Sequence, residues 1–360
     1  MDFPSVTIDL AALRNNLGVV RRLAPDSRLL AAVKADGYGH GLIESARALS
    51  DADAFGVARI GEALALREAG VAHPILLLEG VFSAQDLAEA AAFHLDVAVC
   101  SFEQVAMLES FAAPRSLAVW LKIDTGMNRL GISPDRFVDA HSRVSRSPAV
   151  RTLRVMTHLA CAERLDDPFT SRQLAAFDEA TRSLGLERSI ANSAGVIGWP
   201  QARLEWVRPG IMLYGVSPMP HTSAAELGLR PAMTLRTRVI AVRALREGDS
   251  VGYGCAWRAQ RKSRVAIAAI GYGDGYPRTM PNGGPVLVGG REASIAGRVS
   301  MDLTAIDVTD LPDVAVGEEV VLFGAGLPVE RVAASVGTIG YELLCRVTPR
   351  VRREVIGAAS

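Results

Sequence analysis

The sequence predicts an α/β chain: a closed (β/α)8 barrel of the TIM type followed by a mainly β C-terminal domain. Three observations predict it. Short apolar runs alternate with amphipathic segments through the first half of the chain. Eight such runs follow one another, each with a helix or helical turn behind it, and near-continuous apolar strands alternating with helices imply a parallel sheet. Past about residue 230 the alternation gives way to strands separated by glycine-containing turns.

In order, the predicted barrel strands are residues 29–34, 54–58, 74–78, 96–100, 119–123, 153–158, 189–192 and 204–207, rich in Val, Leu and Ala. Segments 41–49, 59–69, 83–93 and 102–111 carry helical periodicity between them, and Pro134 suits the first turn of a helix over 135–146. On pattern alone, a doubly wound open sheet is the competing topology. A Pro/Gly/Ser-containing stretch at 219–230 reads as a linker, which divides the chain into a barrel over 1–225 and a β domain over 226–360. In the latter, strands are expected at 233–244, 264–270, 285–288, 303–308 and 319–323, with one helix near 329–336.

The bulk properties narrow the function classes. The 360 residues are 49% hydrophobic, with 39 basic and 39 acidic residues, so a sizeable core is expected and neither nucleic acid nor an anionic membrane is an expected partner. Four cysteines, Cys100, Cys161, Cys255 and Cys345, form no CxxC pair, and the six histidines form no HxH or HExxH cluster, so no metal site is expected. The start lacks a basic cluster followed by an apolar core, and no apolar stretch approaches the roughly 20 residues that span a bilayer. A cytoplasmic location is the expectation.

The most informative segment is Ala31-Ala32-Val33-Lys34-Ala35-Asp36-Gly37-Tyr38-Gly39-His40-Gly41. Burial at a strand end favours the neutral form of an amine, and a neutral amine can form a Schiff base with an aldehyde. The glycines let backbone approach a bound ligand. From these features alone, a lysine snorkelling out of a strand end is the plainer reading. The segment, however, resembles the lysine motif of the alanine racemases, the barrel-fold group of pyridoxal-phosphate enzymes. The likeness continues in order through Lys122-Ile123-Asp124-Thr125-Gly126-Met127-Asn128-Arg129-Leu130-Gly131, Met156-Thr157-His158, Ala191-Asn192-Ser193-Ala194 and Val207-Arg208-Pro209-Gly210-Ile211. It extends past the linker to Val251-Gly252-Tyr253-Gly254, Gly271-Tyr272-Gly273-Asp274-Gly275-Tyr276-Pro277-Arg278, Gly297-Arg298-Val299-Ser300-Met301-Asp302 and Thr338-Ile339-Gly340-Tyr341-Glu342. Together, at compatible spacing, these matches are highly specific. They imply the same barrel and β domain that the pattern predicts.

The resemblance also implies a division of labour. Pyridoxal 5'-phosphate is the expected cofactor, carried on Lys34, with its phosphate contacted by Tyr38, Ser193, Gly210, Ile211 and Tyr341. Strand-end loops late in a barrel are the usual place for such a phosphate. Arg208 is the expected partner of the pyridine nitrogen. A permanently protonated guanidinium donates a hydrogen bond but hardly gives up its proton, so the ring becomes a weaker electron sink and transamination is suppressed. Two bases flank Cα: Lys34 for the D-isomer and Tyr253, from the second subunit of a homodimer, for the L-isomer. A phenol ordinarily titrates near ~10, so a tyrosine base needs help; His158, between Tyr253 and Arg208, is the implied helper. Arg129 and the Met301 backbone of the partner subunit are expected on the substrate carboxylate, and Lys122 matches a lysine that carries a carbamate in many relatives. Tyr272, Arg278, Arg298 and Ile339 match the family's access corridor, whose narrowness favours alanine. The reaction would supply D-alanine for peptidoglycan or serve alanine breakdown.

Asn128 departs from a glycine found in some relatives, and Glu163 from an aspartate; both bear on substrate breadth rather than on racemisation. A related barrel decarboxylase would want a carboxylate where Arg208 stands. A non-catalytic cofactor carrier usually lacks the β domain that holds Tyr253, Met301 and Tyr341. A metal hydrolase finds no support in the scattered histidines.

Overall fold

A computed structural model describes residues 3–112 and 117–357. The first strand, β1 (Ser5–Asp9), stays outside the barrel. The barrel is β2 (Arg28–Ala32), β3 (Ala54–Val57), β4 (Ile75–Leu77), β5 (Asp96–Val99), β6 (Leu117–Lys122), β7 (Val150–Met156), β8 (Arg188–Ser189) and β9 (Trp206–Val207), closed in that order. Every neighbouring pair is parallel, and β9 pairs back onto β2 through Arg28↔Trp206 and Leu29↔Val207. That last pairing separates the barrel from the open sheet that pattern left in competition. Helices form where caps and apolar stripes allow. Ser83 accepts the Asp86 N–H at 3.0 Å to start the helix Ala84–Ala92, and Pro134 opens Pro134–Arg146.

The barrel interior is filled rather than hollow. Leu30, Ala54, Leu76, Ala98, Cys100, Trp120, Met156 and Trp206 form one buried cluster in which large and small side chains alternate. Near the amino ends of the strands, Arg154 lies against both Trp120 and Trp206, 5.2 and 5.3 Å from their rings. Its guanidinium pairs with Glu187 at 2.6 Å and Asp96 at 3.5 Å, while Trp120 Nε1–H donates to Asp96 and Trp206 Nε1–H to Glu187. Burial pushes the Asp96 carboxyl above its ordinary value, against the pull of Trp120 and Arg154. This floor stabilises the barrel. Substituting Arg154→Met strands Asp96 in the interior at a cost of about 3 kcal/mol. Differential scanning calorimetry then shows the barrel transition about 6–12 °C lower.

The second compact unit gathers the residues up to Ala12, Tyr214–Val216 and the chain from Arg230 on. Its strands are β10 (Met233–Leu245), β11 (Ser250–Val251), β12 (Trp257–Arg258), β13 (Ser263–Ala268), β14 (Pro285–Val288), β15 (Arg291–Ile295), β16 (Thr304–Asp307), β17 (Glu319–Phe323) and β18 (Arg352–Ile356). The main sheet runs β13-β16-β15-β14-β17-β10-β1-β18, and an added β10–β13 pairing turns it back on itself. β11 and β12 make a separate ribbon.

The division expected at 225/226 assigns residues 3–12 to the barrel, whereas they cluster with the C-terminal half. β1 runs antiparallel to β10 (Ser5↔Arg236, Ile8↔Met233) and parallel to β18 (Ser5↔Arg352). Ser-Val-Thr-Ile-Asp alternates polar with apolar residues, unlike the near-continuous apolar barrel strands, but a five-residue alternation followed by a helix does not say which distant strands it joins.

Candidate active site

The expected barrel residues gather at the carboxyl ends of the strands. β2 ends at Ala32 rather than at Lys34, and the chain then enters a left-handed turn. Ala35, Asp36, Gly37 and Tyr38 have φ of 55°, 54°, 61° and 53°. Left-handed backbone costs roughly 1–2 kcal/mol for each residue bearing a side chain. At Gly37 a Cβ would also meet Ser45 Oγ at 2.5 Å, so the glycine serves the turn itself. Asp36 accepts the Leu42 N–H at 2.8 Å, and the Gly39 and Gly41 N–H groups donate back to Ala35 and Asp36 carbonyls. Lys34 stands half-buried at the head of this turn.

Arg208, at 7% exposed, is with Lys122 one of two deeply buried cations among the described residues. It donates to Ser189 Oγ at 2.6 Å, to the Thr157 carbonyl at 2.5 Å and to His158 Nδ1 at 3.4 Å, with no carboxylate partner among the described residues. Burial pushes it down to about 10, so it keeps its proton at neutral pH. Because arginine only donates, His158 Nδ1 accepts and the ring proton sits on Nε2. Burial, then Arg208, Lys122, Arg129 and Lys34, push His158 well below the ordinary imidazole value. Lys122 is buried, is pushed down chiefly by that burial, and its amine has no hydrogen bond or ion pair with a described residue. The nearby Cys100 thiol is pushed up to about 11 by burial and stays protonated.

Ser193 Oγ accepts the N–H groups of Gly210 at 2.9 Å and Met212 at 3.3 Å. A Cβ on Gly210 would run into the Tyr38 phenol oxygen, so Tyr38, Ser193 and Gly210 close on one spot, with the buried Ile211 next in the chain. Arg129 is exposed on a loop that Asp124 organises, accepting the Gly126 and Asn128 N–H groups at 2.9 and 3.1 Å. Asn128 has φ 55°, left-handed backbone that asparagine, like glycine, tolerates.

The remaining expected residues lie in the β unit. Tyr253 heads a short 3-10 turn and is 68% exposed; Met301 is 53% exposed. The Tyr272 and Gly273 N–H groups donate to the Ser300 and Met301 carbonyls at 3.0 and 2.9 Å, which ties the Tyr272 and Met301 loops together. Arg350 braces that junction by pairing with both Asp274 and Asp302. Arg278 and Arg298 share a cavity of about 380 Å³ with Asn282 and Met280. Ile339 precedes and Tyr341 belongs to the helix Gly340–Cys345.

A profile of the alanine racemase N-terminal domain matches residues 8–218, and one of the C-terminal domain matches 232–355. The chain belongs to the alanine racemase family. It is thereby an isomerase with the family's barrel and β domain. It is 50% identical to the alanine racemase of Aeromonas hydrophila over 350 residues, 97% of this chain and 98% of that one. It is 50% identical to that of Vibrio cholerae over 354 residues, 98% of each. The crystal structure of biosynthetic alanine racemase from Pseudomonas aeruginosa matches with a TM-score of 0.96 at 47% identity, covering 99% of this chain and 100% of that one. That of Acinetobacter baumannii matches at 0.94 and 38%, with the same coverage.

Within this alanine racemase framework, two residues that hold Arg208 were not legible as functional. Ser189 stands two residues before the Ala191–Ala194 motif without belonging to it, and Thr157, though inside the Met156-Thr157-His158 motif, acts through its backbone carbonyl, which any residue supplies. The depressed His158 has a measurable consequence. Its folded value lies below the ordinary ~6.5, so the unfolded chain takes up the proton first. Stability from the neutral ring is complete above that value and is lost as pH falls through the folded value. The urea midpoint of the wild type therefore drops between about pH 7.5 and 5.5 by more than that of His158→Gln.

Proposed function

We propose that the chain interconverts L-alanine and D-alanine with pyridoxal 5'-phosphate held in the barrel mouth, Lys34 and Tyr253 moving the proton. The cofactor supplies an electron sink that acidifies Cα. The residues present fit it. The Ser193 and Tyr38 hydroxyls and the Ile211 N–H offer uncharged donors to a phosphate, the Gly210 N–H orients the Ser193 hydroxyl, and the space beside Gly210 admits no side chain. The observation that carries the reading is Arg208, a buried guanidinium held by neutral oxygens among further cations. Such a site favours an anionic ligand with an acceptor nitrogen, and a donor that keeps its proton leaves that nitrogen unprotonated.

Lys34 takes the proton from one face of Cα and Tyr253 of a second subunit returns one on the other. His158, neutral with its proton on Nε2, donates to the tyrosine oxygen and stabilises it as a phenolate. Arg129 holds the substrate carboxylate through its planar fork, with the Met301 N–H of the second subunit as the other contact. Lys122 reacts as the free amine with carbon dioxide, and the resulting carbamate pairs with Arg129. The enzyme works as a cytoplasmic homodimer, and its reaction supplies D-alanine for peptidoglycan or returns it for breakdown.

Borohydride reduction of the cofactor-loaded protein fixes the cofactor on Lys34, located by peptide mass spectrometry, and the untreated enzyme brings D-alanine to an equal mixture with L-alanine. A label on another lysine, or release of carbon dioxide from the substrate, overturns the reading.

A further inference from the structure

The left-handed turn after Lys34 persists only if its surroundings hold it. One side chain outside the motif does so. Glu62, the third residue of the helix Ile60–Glu68, accepts the Ala35 N–H on Oε1 at 2.6 Å. Its Oε2 accepts the N–H groups of Ala58 and Arg59 at 2.9 and 3.0 Å. A single carboxylate thus ties the turn after β2 to the turn after β3. The Ala35 nitrogen shares a peptide plane with the Lys34 carbonyl, so the 2.6 Å bond fixes the rotation of Lys34 about its own Cα and with it the direction in which the side chain leaves. We propose that Glu62 is a positioning residue that aims the Lys34 amine. This rests on the reading of Lys34 as the cofactor-bearing base.

The chemistry of the brace is specific to a carboxylate. Three N–H groups converge on two oxygens, an acceptor-only arrangement that an amide cannot reproduce, because its NH2 would face a donor. Glu62→Gln therefore loses one side of the brace. Glu62→Asp, shorter by one methylene, keeps the cap on Ala58 and Arg59 and falls short of Ala35. Ser83→Ala is the control: it removes a helix cap elsewhere in the barrel, where Ser83 Oγ accepts the Asp86 N–H, and leaves the Lys34 turn intact.

The test begins with borohydride labelling of the wild-type holoenzyme. Absence of label on Lys34 overturns the underlying reading and the role of Glu62 with it. With the label in place, both Glu62 variants are expected to lower kcat by about 10- to 100-fold, the scale of a misaimed reacting group. They are also expected to weaken cofactor retention in equilibrium dialysis by about 10-fold, the scale on which supporting contacts act. Deuterium at Cα distinguishes positioning from folding. In the variants the isotope effect rises for D-alanine, whose proton Lys34 removes, and falls for L-alanine. Ser83→Ala lowers the melting temperature and leaves isotope effects and retention unchanged. If the folded Glu62 variants behave like Ser83→Ala, the proposal is wrong; if Glu62→Gln does not fold, Glu62→Asp decides alone.

Discussion

Lys34→Ala and Tyr253→Phe chains, each depressed by about 10²–10⁴-fold alone, recover roughly a quarter of wild-type activity when co-expressed and randomly paired across a two-fold interface. Half of the dimers are then mixed. In each mixed dimer, one site combines both faults and the other combines the intact lysine of one chain with the intact tyrosine of the other. If Tyr253 served its own chain, every site would carry one fault and the mixture would stay inactive. The structure motivates the first outcome. Tyr253 is 68% exposed, Met301 53% and Ile339 61%, and three expected site residues open to water suit a surface that a second copy covers. Activity of the mixture, measured against each chain alone, decides.

Arg208→Glu lowers racemisation on the order of 10²–10³-fold, the cost of removing one preorganised donor, and diverts part of the remaining turnover into pyruvate. The guanidinium now donates to Ser189 Oγ, the Thr157 carbonyl and His158 Nδ1. A carboxylate there faces a carbonyl oxygen it cannot bond when ionised. Protonated, it would offer a bound pyridoxal phosphate's ring nitrogen a full proton, and the stronger electron sink the cofactor then supplied would favour transamination over return of the proton to Cα. Pyruvate is read with lactate dehydrogenase, one equivalent per equivalent of cofactor. A variant that loses racemisation without making pyruvate contradicts this account of reaction control.

Much of the barrel was legible because its strands are short, apolar and regularly interrupted. Residues 54–58, 74–78 and 96–100 are observed as Ala54–Val57, Ile75–Leu77 and Asp96–Val99. In the β unit, Pro285–Val288 and Glu319–Phe323 hold to the residue. What escaped was pairing at long range and chemistry carried by backbone. β15 and β18 are rich in charged residues and lack a clean apolar rhythm, so only their partners make them strands. In the sequence, the glycines after Lys34 make room for a ligand. The geometry of the turn is set as much by Asp36, whose type tolerates left-handed backbone, and by Ala35 and Tyr38, whose types give no hint of it. Ser189, Thr157 and Glu62 were missed for a related reason: each acts through the partner it holds, and sequence does not show who that partner is.

The placement of β1 between β10 and β18 has a consequence for how the chain is made. On the ribosome this strand emerges ahead of the barrel, yet its neighbours are translated more than two hundred residues later, Met233–Leu245 and then Arg352–Ile356. The barrel can close in the interval, while β1 waits as a bare strand edge open to mispairing. A bulky segment placed against β1 would therefore burden the sheet it shares with β10 and β18, whose residues lie more than two hundred positions away.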